Sequence, residues 1–162
     1  MTYSSEAGQM SAILRDAGQV EELRVGETRA RLVAPGSVTG GQYGLFEWHM
    51  AASSGGASPH FHRTFSEAFY VMSGTVTLFD GRSWTKAGAG DFLFVPEGGV
   101  HGFRNDADEP ASMLILFAPG APREDYFREL AEIRTSGRQL SQDEWLELWA
   151  RHDQYPAPDA TP

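Results

Sequence analysis

His60-Phe61-His62-Arg63-Thr64-Phe65-Ser66-Glu67 is the stretch on which the reading of this chain turns, with His101 following about forty residues later. Two histidines separated by one residue on an extended strand point to the same face, because side chains alternate with period two. Their imidazole nitrogens can then converge on one ion. Glu67, five residues on, and His101, from a distant segment, complete a set of three nitrogens and one oxygen. Such a set suits Fe, Ni, Cu, Mn or Zn better than Mg or Ca. An isolated His-x-His is equally well explained as an exposed pair on a polar loop, so the surrounding pattern decides.

That pattern falls into two blocks. The first runs from Gly55 through His60, His62 and Glu67 to Gly74; the second runs Gly90, Pro96, Glu97, Gly98, His101, Asn105. In order and at this spacing they resemble the two motifs of the cupin superfamily. The second block fits G-x5-P-x-G-x2-H-x3-N at every fixed position. The first departs at its opening glycine, because Gly55 leaves four residues before His60 where the family usually has five. The resemblance covers roughly residues 40 to 118.

Composition narrows the function classes. With 13 Lys and Arg against 22 Asp and Glu the net charge is −9. An acidic chain without a basic cluster argues against nucleic-acid binding and against attraction to anionic membranes. No apolar run approaches the ~20 residues of a membrane span. Cysteine is absent, which removes disulfides, thiolate ligands and thiol nucleophiles. The first residues, Met1-Thr2-Tyr3-Ser4-Ser5-Glu6, show no basic region followed by an apolar one, so the expectation is a cytoplasmic protein.

Texture along the chain suggests an N-terminal arm (1–20), a β-domain (21–120), a helical extension (121–153) and a flexible tail (154–162). The arm has a weak helical pattern through Met10, Ile13 and Leu14. Between 29 and 118, short alternating runs separated by turn glycines predict about nine or ten strands, hence an all-β sandwich or barrel. Gly74 allows a tight connection, and Asp80-Gly81 predicts a hairpin turn with positive φ at both positions. After Pro122 the period changes. Tyr126, Phe127, Leu130 and Ile133 share one helical face, and Ser141-x-x-Glu144 is a capping box opening a second helix with Trp145, Leu148 and Trp149 on one side. These aromatics either pack against the outside of the barrel or close one of its mouths.

The resemblance implies a cupin-type antiparallel β-barrel (jelly-roll) with a short N-terminal arm and two C-terminal helices, usually a homodimer. It also implies His60, His62, Glu67 and His101 as ligands of one divalent transition metal per chain (Fe, Ni, Mn, Cu or Zn). Four ligands on an octahedral ion would leave two positions open. Among cupins, the chain is similar to small single-domain relatives of the quercetin (flavonol) 2,4-dioxygenases, in which the equivalent of Glu67 is proposed as a catalytic base. The implied substrate is aromatic or enolic, with O2 as co-substrate. Strand alternation from Glu67 and His101 points Phe69, Val71 and Phe103 inward. Phe46, Trp48 and Met50, with Phe92 and Phe94, complete the expected substrate pocket. The alternatives are a cyclase, isomerase or decarboxylase using the metal as a Lewis acid, or a non-enzymatic small-molecule binding module. No helix-turn-helix pattern precedes residue 40, which counts against a regulator.

Overall fold

A computed structural model describes residues 3–157. Alternating apolar runs become strands β1 (Glu21–Val25), β2 (Thr28–Ala34), β3 (Gly44–Met50) and β4 (His60–Phe61). They continue as β5 (Ser66–Ser73), β6 (Thr75–Phe79), β7 (Trp84–Gly88), β8 (Phe92–Val95), β9 (Gly102–Arg104) and β10 (Ala111–Ala118). One helical turn, α1 (Gly36–Thr39), interrupts them; α2 (Arg123–Ser136), α3 (Gln142–Arg151) and β11 (Tyr155–Pro156) end the described chain.

All the strand pairs are antiparallel. A six-stranded sheet has the order β1-β2-β3-β10-β5-β8, faced by a three-stranded sheet β7-β6-β9 and the short pair β11-β4. This is the jelly-roll arrangement, although hydrogen bonding does not close either larger sheet into a barrel. Register explains which residues meet in the core. Trp48, Met113 and Val71 are cross-strand partners in one row, and Phe46, Ile115 and Phe69 in the next. In a third row, Phe117 pairs with Glu67. Partners in a row share a face, so Glu67 is carried onto the same inward face as the large apolar side chains. All of these residues are buried.

Gly74 bears out its expected role. Its φ is +70°, and a Cβ there would lie 2.4 Å from the Pro110 carbonyl oxygen, so no other residue fits unstrained. The Asp80-Gly81 turn differs from expectation, because only Gly81 has positive φ. The Asp80 side chain instead accepts from the Arg82 and Ser83 amides at 2.8 and 2.9 Å, an Asx-type turn that needs just one left-handed residue.

The ends of the chain depart further from the sequence expectation. The helical pattern through Met10, Ile13 and Leu14 forms no helix, and all three side chains are exposed. Arg15 holds the arm by donating to the carbonyls of Leu32 and Val33 on β2 and of Gln19 at the end of a short 3-10 turn, Ala17–Gln19. At the other end, part of the expected flexible tail is ordered. Tyr155 and Pro156 pair with Phe61 and His60, and Tyr155 stacks on Phe61 at 5.4 Å. Residues 158–162 lie outside the described chain. The capping box at Ser141 forms as expected, with Ser141 Oγ accepting from the Glu144 amide and Glu144 Oε2 from the Ser141 amide.

Candidate metal centre

Backbone pairing brings the four candidate ligands together. The His60 amide donates to the His101 carbonyl and the His101 amide to the His60 carbonyl, each at 2.9 Å. The turn at Pro96–Gly98 docks through the Gly98 amide on the His62 carbonyl, at 2.7 Å. Glu67 arrives from the start of β5. The result is one buried group, His60, His62, Glu67 and His101, whose ligand atoms all lie within 4.8 Å of one another.

Each imidazole is locked in one tautomer. Nδ1 of His60 donates to the Ser58 carbonyl at 2.7 Å, that of His62 to the Asp153 carbonyl at 2.6 Å, and that of His101 to the Gly99 carbonyl at 3.0 Å. A carbonyl oxygen only accepts, so Nδ1 carries the proton in all three, and Nε2 is left for the centre. The Nε2 atoms of His62 and His101 stand 3.0 and 2.7 Å from Glu67 Oε2. In neutral rings this would set lone pair against lone pair. Only a cation between them, a proton or a metal ion, makes the arrangement favourable. Two adjacent ligands of an octahedral ion at about 2.1 Å stand about 3.0 Å apart, and these spacings match. The four residues therefore fit a divalent transition metal, with Nε2 of the three histidines and a Glu67 oxygen as donors.

Without metal, burial and mutual charge set the protonation of this group. Burial pushes the Glu67 carboxyl up, yet the two imidazoles beside it pull it further down, well below the usual carboxylate range. Burial would lower His101, but the Glu67 carboxylate outweighs it and raises the imidazole above its ordinary value. Burial, and then His101, push His60 down to about 3. Glu67 is thus ionised and His60 neutral near pH 7, and His101 holds a proton more firmly than a free imidazole.

The pH dependence follows in sign. In the metal-free chain, His60 takes up a proton only on unfolding, so stability falls as pH drops from 6.5 towards 3. Glu67 acts in the same direction below its ordinary value of 4.5. His101 acts oppositely: its contribution is present below 6.5 and is lost as pH rises through its raised value. Urea midpoints of the chelator-treated protein should therefore decline on acidification. His60→Gln should reduce that slope by about 1.4 kcal/mol per pH unit, one proton's worth. An unchanged slope would contradict the assignment.

A cavity of about 810 Å³ opens beside this group and includes His60 and Glu67 in its wall. Of the eight expected pocket residues, Trp48 and Phe103 line it. Phe46, Met50, Phe69 and Val71 are buried in the core behind it. Phe92 and Phe94 point the other way, at 63% and 58% exposure. The reason is register: Leu93 and Val95 are the partners of Phe69 and Glu67, whereas Phe92 and Phe94 pair with Tyr70 and Ala68. The helical extension supplies one side of the wall through Tyr126, Phe127, Trp145 and Trp149, so the helices bound the cavity as well as cover the β-domain. The two histidines outside the centre have their own partners, His49 in Glu47 at 2.9 Å and His152 in Glu129 at 2.8 Å.

Two contributors were not apparent in the sequence. Arg123 opens α2 and is buried against the cavity. Asp153, at φ +52°, offers its carbonyl to His62, and its carboxylate accepts from the Arg63 and Thr64 amides and the Thr64 hydroxyl. It ties the C-terminal segment to the ligand loop and fixes the His62 ring. Asp153→Ala keeps the carbonyl but removes the carboxylate that anchors it, so metal affinity should fall by about 10-fold, the lower end of the loss expected when outer-sphere support is weakened. A competitive chelator titration would measure this, and an unchanged affinity would show that the carboxylate anchor is not needed to hold the His62 ring.

A cupin-domain family model matches residues 46–117, the segment that holds all four ligands. Quercetin 2,3-dioxygenase of Bacillus subtilis (strain 168) is 30% identical over 122 residues, which is 72% of this chain and 34% of that protein. The chain thus spans about a third of that relative's length. Among solved structures, an RmlC-like cupin of Shewanella frigidimarina superposes with a TM-score of 0.59 at 20% identity, over 72% of this chain and 96% of the other. The polyketide cyclase RemF of Streptomyces resistomycificus gives 0.55 at 24% identity, over 68% and 80%. At these identities the two structures share the fold. With both motif blocks in place, their four ligands gathered at one buried centre and the jelly-roll around them, residues 46–117 of this chain are a cupin domain.

Proposed function

We propose that this chain is a metal-dependent oxygenase acting on a flat aromatic substrate with an enolic or phenolic hydroxyl, of the flavonol kind. The observation that carries the reading is the convergence of three oriented imidazole nitrogens and one carboxylate at the wall of an aromatic cavity. A divalent transition ion held there would supply Lewis acidity and, if redox-active, exchange electrons with O2. The protein's own part is orientation and proton handling. Trp48, Phe103, Tyr126 and Phe127 would flank the rings of a planar molecule and exclude water. Glu67 stays ionised across the neutral range, and its contacts with His62 and His101 both fall on Oε2. Its second oxygen would take the proton of the substrate hydroxyl.

The likeness to the Bacillus subtilis dioxygenase supports this reading over about a third of that protein. The test is oxygen uptake on adding quercetin to the chain reconstituted separately with Fe, Ni, Mn, Cu and Zn. Uptake with at least one ion is expected. Stoichiometric metal with no uptake in any form would move the function to Lewis-acid chemistry without O2, such as cyclisation, isomerisation or decarboxylation. We also assign the exposed Tyr70, Phe92 and Phe94 face on β5 and β8 to a homodimer contact. Sedimentation of a Phe92→Ser, Phe94→Ser double variant as an unchanged dimer would reject that face.

A further inference from the structure

Arg123 breaks three local rules at once. It is the first residue of α2, where the helix already presents its positive end and acidic residues are favoured. It is only 4% exposed, where a cation ordinarily meets a carboxylate. Among the described residues none forms an ion pair with it. Nη1 donates to the His152 carbonyl at 2.8 Å and Nη2 to Gln154 Oε1 at 3.2 Å, both neutral acceptors. Nε–H has no protein partner. The rings of Phe65, Phe117, Tyr126 and Phe127 surround the guanidinium at 4.3–5.5 Å. These contacts hold the charge in place, while the Glu67 and Asp153 carboxylates act on it only through space and neither forms an ion pair with it. Local rules broken together in a folded protein are where function is to be sought.

The surroundings point the same way. Arg123 lines the cavity that reaches Glu67, and Glu67 is already engaged by His62 and His101. Trp48 Nε1, on another lining residue, is also a buried donor without a protein partner. The cavity wall carries Arg123, Arg134 and Arg138 against Glu27 and Glu67. Three of the chain's 13 cationic residues but only two of its 22 acidic ones are therefore found there, in a protein of net charge −9. Arg138 is paired with Glu144 at 2.9 Å, so Arg123 and Arg134 are the cations of this wall that form no ion pair among the described residues, and Arg123 is the buried one.

We propose that Arg123 binds a carboxylate carried by the flavonol-like substrate, so that the natural ligand is an aromatic hydroxy acid for which quercetin supplies the enolic part alone. This rests on the cavity being the substrate site and adds the charge of its ligand. A planar carboxylate matches the fork of a guanidinium. The unpartnered Nε–H and an adjacent Nη are the natural pair of donors, with Trp48 Nε1 available to a further oxygen.

The test compares 2-naphthoate with 2-naphthamide, which differ in charge but hardly in shape. Each is titrated into the chain as purified and after chelator treatment, followed by tryptophan fluorescence and by the arginine Nε–H resonances. The carboxylate should bind about ten-fold more tightly or better, the factor expected of a charge-assisted hydrogen bond. It should also shift one arginine Nε–H, and the preference should survive chelation. Arg123→Gln should bring the two probes within about two-fold of each other, while Arg123→Lys should keep part of the preference. Equal affinity in the wild type, a preference that persists in Arg123→Gln, or one that vanishes with the metal would overturn the proposal. Should Arg123→Gln fail to fold, the wild-type resonances decide: no arginine Nε–H responding to naphthoate also overturns it. Naphthoate preference without oxygen uptake on quercetin sinks the oxygenase reading alone; uptake without preference sinks the role of Arg123 alone.

Discussion

Glu67→Gln is expected to lower turnover by about 10²–10⁴-fold, the range associated with loss of a positioned general base. The amide keeps the size of the side chain and one oxygen donor, so metal content should stay near that of the wild type. What it loses is the capacity to accept a proton. The wild-type carboxylate is kept ionised by His62 and His101 against the opposing effect of its own burial. Glutamine keeps the shape without that charge. Oxygen uptake at saturating quercetin, set beside metal content from the same preparation, separates the two roles. Turnover near the wild-type rate with metal bound would leave Glu67 as a ligand only.

His101→Ala should take metal content from one ion per chain to near zero. His101 is fully buried, and its ring is fixed by the Gly99 carbonyl. Among the described residues no other imidazole or carboxylate belongs to the cluster of four, so none of them replaces the lost ligand. Stability should fall as well, by about 3 kcal/mol, because Glu67 loses the closer of its two partners. The β-domain should still fold, since burial then drives Glu67 towards its neutral acid form. His60→Ala is the gentler companion. His60 makes no hydrogen bond to Glu67, so removing it should strip the metal with a smaller loss of stability. Metal retained at one ion per chain in both variants would mean that the ligands lie elsewhere.

The gathering of His60, His62, Glu67 and His101 was legible because the two motif blocks, at the spacing that resembles the cupin pattern, mark all four. The i, i+2 pair at His60 and His62 and the turn before His101 are local features, and the fold only has to pair His60 with His101. The inward set Phe46, Trp48 and Met50 was also legible, since β3 alternates without a break. The phase of β8 was not. Phe92-Leu93-Phe94-Val95 is apolar at every position, so alternation gives no facing, and only the pairing with β5 turns both phenylalanines outward. The cavity wall was hidden for a different reason. Trp145, Trp149, Tyr126 and Phe127 show a helical face, but a face does not reveal whether it meets a sheet or the mouth of a cavity. Arg123 left one faint trace, a cation in the first turn of a helix ahead of Glu124 and Asp125. Asp153 left none that spacing could show, because its link to His62 runs through a backbone carbonyl 91 residues away.

The central claim is that His60, His62, Glu67 and His101 hold a metal ion. Its most direct test is the metal content of the purified and reconstituted chain by mass spectrometry, with His60→Ala measured alongside. One transition-metal ion per chain in the wild type, lost in the variant, is the predicted result. No bound metal under any reconstitution would contradict the claim, and the buried group would then be a proton-sharing cluster in a small-molecule binding module.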